Sequence, residues 1–252
     1  AATEFGIFFT VDGGAKWIEL EGGVPTISFR DFAIQRREND LVGASFGRSF
    51  WVFDDYTPLR SLTNEKLASD TMLFPVRDAL WYIPDRPMGD FEVGGKSSQG
   101  DQFYLADNPP FGAVITYYLP ESLMTAKEER RKAEKEIEKE GGDTPYPGWD
   151  VIQQQEREEP PSVVLTVRDG NGEVVRRITG PAKAGFHRVA WDLRYPAANP
   201  VQLSPPPSGP FSDPPQGPMV APGTYTVSLA KRVGGKLTPL GKPQSFAAVP
   251  LG

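Results

Sequence analysis

Cysteine is absent from the chain, and histidine occurs once, at His187. The first absence removes disulfide frameworks, thiolate nucleophiles, Cys-ligated zinc and iron–sulfur sites together. The second leaves almost nothing for a His-based metal cage or a Ser-His-Asp relay. Positive charge is also short. There are 27 Lys+Arg against 33 Asp+Glu, a net charge of −6, whereas nucleic-acid binders normally present a basic footprint. No apolar run reaches the roughly 18 residues a membrane helix needs, and no basic segment leads into an apolar one. This piece therefore shows neither a membrane span nor a targeting signal. It begins Ala1-Ala2-Thr3-Glu4 without Met, and the expectation is a longer parent with any signal upstream. Gly and Pro are plentiful, at 26 each in 252 residues. That is high for a globular chain but below the level of about a quarter at which disorder becomes the default.

From residue 1 to about 56 the chain reads as short strands joined by tight turns. Glu4–Thr10 and Lys16–Leu20 flank Asp12-Gly13-Gly14, and Arg30–Gln35 alternates as a half-buried strand should. Leu41–Phe46 and Ser49–Phe53 follow, ending at Asp54-Asp55. Residues 57–69 are polar enough for a short helix. Met72–Val76 and Ala79–Ile83 read as strands, the first at an edge because of Pro75. Gly89 to Asp101 reads as a loop or linker.

A second β region opens at Gly112–Leu119 and is interrupted by one well-marked helix. Thr125-Ala126-Lys127-Glu128 has capping-box spacing, and Gly141-Gly142 is a stop signal. Only Ala126, Ala133 and Ile137 form an apolar stripe, so the helix is expected to be a solvated excursion with charges paired four residues apart. Val163–Arg168 and Glu173–Ile178 flank Asp169-Gly170-Asn171-Gly172, a hairpin signal in which Gly and Asn are expected at positive φ. Phe186–Leu193 alternates. Pro200 to Pro222 holds nine prolines in 23 residues, a stiff loop that cannot be a central strand. Thr224–Ala230 and Lys242–Val249 complete the count. About seven strands here suit an immunoglobulin-like sandwich.

The sharpest local pattern is Thr10-Val11-Asp12-Gly13-Gly14-Ala15-Lys16-Trp17, the Asp-box form of a turn. Asp12 is placed to accept backbone N–H bonds inside the loop, Gly14 to take positive φ, and Trp17 to pack back beneath it. Thr10, Asp12, Gly14 and Trp17 are thus structural candidates. Catalytic and metal-ligating residues are expected to be none, and cofactors none. Arg30, Arg36, Arg37 and Arg48 with Asp54 and Asp55 are the only material for a sialidase-like site, and adjacent strand carboxylates face opposite ways. His187 reads as a sheet or surface histidine. Trp51, Trp81, Tyr82, Tyr117 and Tyr118 read as core or interdomain packing before a sugar platform.

Thr3–Ile7, the Asp box, Val24-Pro25 with Arg30-Asp31, Asn39–Val42 and Gly47–Asp55 occur in an order that resembles the closing blades of bacterial sortilin-like (VPS10-type) Asp-box propellers, also labelled BNR-repeat. Those relatives carry His-Gly-Arg-Gly where this chain has Phe46-Gly47-Arg48-Ser49, so any role of that His is not implied here. The second half is similar to the immunoglobulin-like domain of the flagellar hook-capping (FlgD) type. The similarity runs through Val167–Arg176, Gly185–Arg194 and Ala221–Val227.

The resemblances imply a mainly β chain: a terminal propeller-blade segment at 1–60, a linker with short strands at 61–110, and an Ig-like β-sandwich at 111–252. The sandwich would hold a helical insertion at 125–140 and a Pro-rich loop at 196–222. They imply a non-catalytic, exported bacterial region (periplasmic, cell-surface or secreted) that binds protein or glycan partners. Residues 1–56 would pair with another chain or with preceding sequence. Two alternatives stand beside this: an accessory part of a sialidase-like glycoside hydrolase with its catalytic residues upstream, and a subunit of an assembly whose blade another chain completes.

Overall fold

The structure is a computed structural model and describes residues 1–21, 23–85, 98, 100, 102–198 and 215–251. Most of the Gly89 to Asp101 linker and residues 199–214 of the Pro-rich loop lie outside the described residues. The chain is mainly β, with 39% strand and 14% helix, and divides into two units, Ala1–Asp70 and Thr71–Gly252.

The first unit holds two three-stranded antiparallel sheets. One is built from β1 (Ala2–Thr3), β2 (Gly6–Phe9) and β3 (Ile18–Glu19). The other is built from β4 (Phe29–Gln35), β5 (Asp40–Ser45) and β6 (Phe50–Phe53). Two short helices follow, α1 (Thr57–Arg60) and α2 (Asn64–Ser69), the second capped by Thr63 Oγ1 accepting from Lys66 N at 3.3 Å. Strand pairing in the second sheet sets Val42 opposite both Ala33 and Val52, and Ala44 opposite Phe50. Because side chains alternate across a sheet, these five share one face. The other face carries Phe29 and Phe32, stacked with centroids 6.2 Å apart, over the bare backbone of Gly43. A Cβ at Gly43 would sit 2.9 Å from the Phe32 ring, so the glycine lets both aromatics lie close to β5.

The second unit is larger. Its strands are β7 (Met72–Leu73), β8 (Ala79–Trp81), β9 (Ala113–Leu119), β10 (Ser162–Arg168), β11 (Val174–Gly180), β12 (Gly185–Trp191), β13 (Gly223–Val233) and β14 (Lys236–Pro250). They form a five-stranded sheet in the order β11-β10-β13-β14-β8 and a three-stranded sheet in the order β12-β9-β7. All pairs are antiparallel except β14 with β8. Every second residue of β9 (Ala113, Ile115, Tyr117, Leu119) and of β13 (Tyr225, Val227, Leu229) is buried. These join Val163, Leu165 and Val167 of β10, Trp191 of β12 and Phe246 of β14 in one core. Residues 61–110 therefore supply two strands, β7 and β8, to these sheets.

Between β9 and β10 stand α3 (Ala126–Lys139) and α4 (Trp149–Glu156). The capping box of α3 is fully formed, with Thr125 Oγ1 accepting from Glu128 N at 3.1 Å and the Glu128 carboxylate accepting from Thr125 N at 2.8 Å. The helix ends on Gly141 at φ 78°, with Gly142 N donating to Ile137 O and Gly141 N to Glu138 O, the Schellman arrangement. No residue of α3 is buried, as its thin apolar stripe implies. Arg130 and Glu134 pair across one turn, and Arg130 Nε also reaches Gln155 Oε1 of α4 at 3.1 Å. No strong sequence marker precedes α4, whose N-cap is Gly148 at φ 91° without a side-chain cap.

The β10–β11 hairpin forms at 169–172, with a different turn from the one expected. Gly172 takes φ 84° while Asn171 stays outside the left-handed region. The Asp169 carboxylate accepts from Asn171 N at 2.9 Å and Glu173 N at 3.0 Å. An Asx-type turn with one left-handed glycine relieves Asn171 of the strained conformation.

Candidate functional site

The Asp-box loop closes as its residue types dictate. Thr10 Oγ1 donates to Asp12 Oδ1 at 2.8 Å and accepts from Gly14 N at 2.9 Å. Asp12 Oδ1 accepts from Lys16 N at 3.0 Å, and its second oxygen accepts from Asn64 Nδ2 at 3.2 Å. Gly13 and Gly14 take φ 73° and 98°. The Lys16 backbone N–H and then the Thr10 hydroxyl hold the Asp12 carboxyl below its ordinary range. A carboxylate so occupied, and held away from neutral pKa, suits loop closure better than proton transfer. Trp17 lies against Gly14 of the turn, with 52% of its surface exposed.

Three of the residues weighed for a hydrolase site, Arg30, Arg37 and Asp55, are engaged locally. The Arg30 guanidinium lies 5.0 Å from the Phe46 ring centre, and Arg37 pairs with Glu38 at 2.9 Å. Asp55, at φ 48°, accepts from Thr57 N at 3.1 Å and donates its own N–H to Asp40 Oδ1 at 2.9 Å, which makes it a turn residue. Arg48 is exposed. His187 sits on β12 with Nε2 2.6 Å from Lys183 O and its ring against Tyr117.

The aromatics divide. Tyr117 is fully buried and donates to Pro181 O at 2.6 Å, and burial pushes its hydroxyl pKa up to about 12. Trp81 Nε1 donates to Val220 O at 2.7 Å, Tyr82 packs edge-on to Phe111, and Tyr118 lies against Phe186. None of these forms an open platform with the others. Trp51 differs, because its buried Nε1 finds no hydrogen-bond partner among the described residues, and Ser28 Oγ is in the same position.

The open surface of the first unit is the face of β4–β6 that carries Ala33, Val42, Ala44, Phe50 and Val52. Phe50 is 74% and Val52 57% exposed, and Phe46, just past β5, is 70% exposed. Sequence alternation signalled two faces on this sheet but gave no indication of which would stay open. Among the described residues no group of three or more His, Asp or Glu could hold a metal ion, and no helix is long and apolar enough to cross a membrane. Compared with known proteins, the chain matches no protein-family model, no curated protein and no solved structure.

Proposed function

We propose that the chain is a non-catalytic interaction region of an exported bacterial Asp-box propeller protein, with residues 1–60 a terminal blade segment and 111–252 a FlgD-type immunoglobulin-like sandwich. The partner is protein or glycan, and residues 1–56 pair with another chain or with preceding sequence. The observation that carries this reading is the β4–β6 face, where Phe50 and Val52 stand open on a regular sheet. Isolated exposed apolar residues are ordinary, whereas Phe50 and Val52 share one sheet face, with Asp31 facing Ala44 on the same side, and an apolar group with a polar neighbour suits a contact surface.

The sandwich reading draws support from the second unit. Two sheets share one core around a buried Trp191, and Tyr225 returns its hydroxyl to Ala221 O at 2.6 Å. A tyrosine bonded to backbone a few residues upstream is a recurrent device of such sandwiches.

The test is amide hydrogen exchange on the protein from its native source and on these 252 residues alone. Greater protection of β4–β6 in the native-source protein is the expected result. Equal protection in both samples overturns the reading. Native mass measurement then separates a second chain, which adds mass, from preceding sequence, which lengthens the same chain.

A further inference from the structure

We infer that the start of α4 and the groove beside it form a binding site for a neutral glycan chain, a placement that rests on the interaction reading above and names its ligand class. Tyr146 and Trp149 are 63% and 72% exposed and meet edge-to-face, with centroids 6.1 Å apart and planes at 74°. Neither ring covers the core. Pro145 and Pro147 flank Tyr146 and restrict the backbone on both sides of it, so the corner is set before any ligand arrives. Large rigid aromatics give contact area at low entropic cost. A ring face accepts the C–H side of a pyranose, while the second ring closes one edge.

Polar groups continue the site along α4. Gln153 lies one turn after Trp149 on the same side of the helix. It also lines a groove of about 690 Å³ bounded by α4, Ala126 and the Gly234-Gly235 turn. That volume is in the range of ligand clefts. Some of the groove's polar groups are engaged inside the protein. Glu158 accepts from Ala126 N at 2.9 Å, Gln155 from Arg130 Nε at 3.1 Å, and Glu159 faces Arg232 at 3.8 Å. The amides of Gln153 and Gln154 remain, each both donor and acceptor, which matches sugar hydroxyls. An anionic polysaccharide would meet a surplus of acid, since Asp150, Glu158 and Glu159 outnumber Arg157 in the lining.

The experiment is affinity electrophoresis of the full chain in native gels cast with β-glucan, xylan, galactomannan, dextran or alginate. Tryptophan-fluorescence titration follows with whichever polysaccharide retards it. Retardation by at least one neutral polysaccharide is expected, with Trp149→Ala weakening binding at least about tenfold, the scale of one good contact. Gln153→Ala should weaken it by a smaller factor, and Trp17→Ala in the first unit should leave it unchanged. Both α4 side chains are exposed, so circular dichroism of the variants should match the parent. Failure of every neutral polysaccharide, retardation by alginate alone, or unchanged binding in Trp149→Ala overturns the site. A negative result here beside increased protection of β4–β6 in native-source protein refutes the glycan site alone. Equal protection with a positive result here refutes the blade-face reading instead.

Discussion

Tyr117 provides the most searching test of the core. It lies on β9 opposite His187 of β12 and Leu73 of β7, fully buried, with its hydroxyl donating to Pro181 O at 2.6 Å. Gly180 makes room for it, because a Cβ there would stand 2.5 Å from the hydroxyl oxygen. Burial raises the phenol pKa from 10 to about 12. The unfolded chain then releases the proton near pH 10 while the folded chain holds it to about 12. The associated stability is fully present below pH 10 and is lost as pH rises through 12. At about 1.4 kcal/mol per pKa unit, the shift is worth about 3 kcal/mol at its limit and about 2 kcal/mol at pH 12.

Tyr117→Phe removes the titration and also the hydrogen bond, leaving Pro181 O without its donor. At pH 7 the variant should be less stable by about 1 kcal/mol, the usual net worth of such a bond. On approach to pH 12 the parent loses what the variant never had, so the difference should shrink and change sign. Urea unfolding by far-UV circular dichroism at pH 7, 10, 11 and 12 measures this, and the parent-minus-variant difference cancels every other titrating tyrosine and lysine. A difference that stays constant from pH 7 to 12 would refute the argument that burial of this hydroxyl controls alkaline stability.

Gly112→Ala should lower the melting temperature of the second unit sharply. At φ 99° its Cβ would fall 2.0 Å from Trp191 O, so a left-handed penalty of about 1–2 kcal/mol adds to a backbone clash. Thermal denaturation checks it, and a change within error would contradict the close approach. Thr125→Ala should cost α3 about 1 kcal/mol by deleting one half of the capping box. Because α3 buries nothing, faster amide exchange at Glu128 should appear without a shift in the core's melting.

What was legible in the sequence was local chemistry. The Asp-box loop, the capping box at Thr125 and Glu128, and the stop at Gly141-Gly142 each occupy fewer than about ten residues, and short-range hydrogen bonds determine them. The β13–β14 hairpin was missed although Val233-Gly234-Gly235-Lys236 carried its signal: both glycines take positive φ, at 54° and 75°, as a two-residue hairpin turn requires. Its consequence is a last strand that begins at Lys236 rather than Lys242. The parallel pairing of β8 with β14 had no such signal. Ala79 meets Ala248, and Asp78 Oδ1 accepts from Ala247 N at 2.8 Å, so the partners are far apart in sequence and only the folded core brings them together. The residues of 79–83 and 242–249 read as strands, but nothing in them marks the two as neighbours.

The same alternation has opposite outcomes in the two units. In β9 and β13 the inward set meets a second sheet, and Ile115, Tyr117, Val227 and Leu229 vanish from the surface. In β4–β6 one set packs on Phe29 and Phe32 while the other, led by Phe50 and Val52, faces outward. The first unit's large buried apolar side chains are Ile7, Phe29 and Leu62, whereas the second unit's core runs from Leu73 to Ala248. Ordering a backbone costs about 1–2 kcal/mol per residue, and burial is what offsets it. Seventy residues organised around three such side chains recover little of that cost alone, while covering Phe46, Phe50 and Val52 would recover more than any internal rearrangement of the sheet could. That imbalance is the physical reason to expect association at the β4–β6 face to stabilise the first unit.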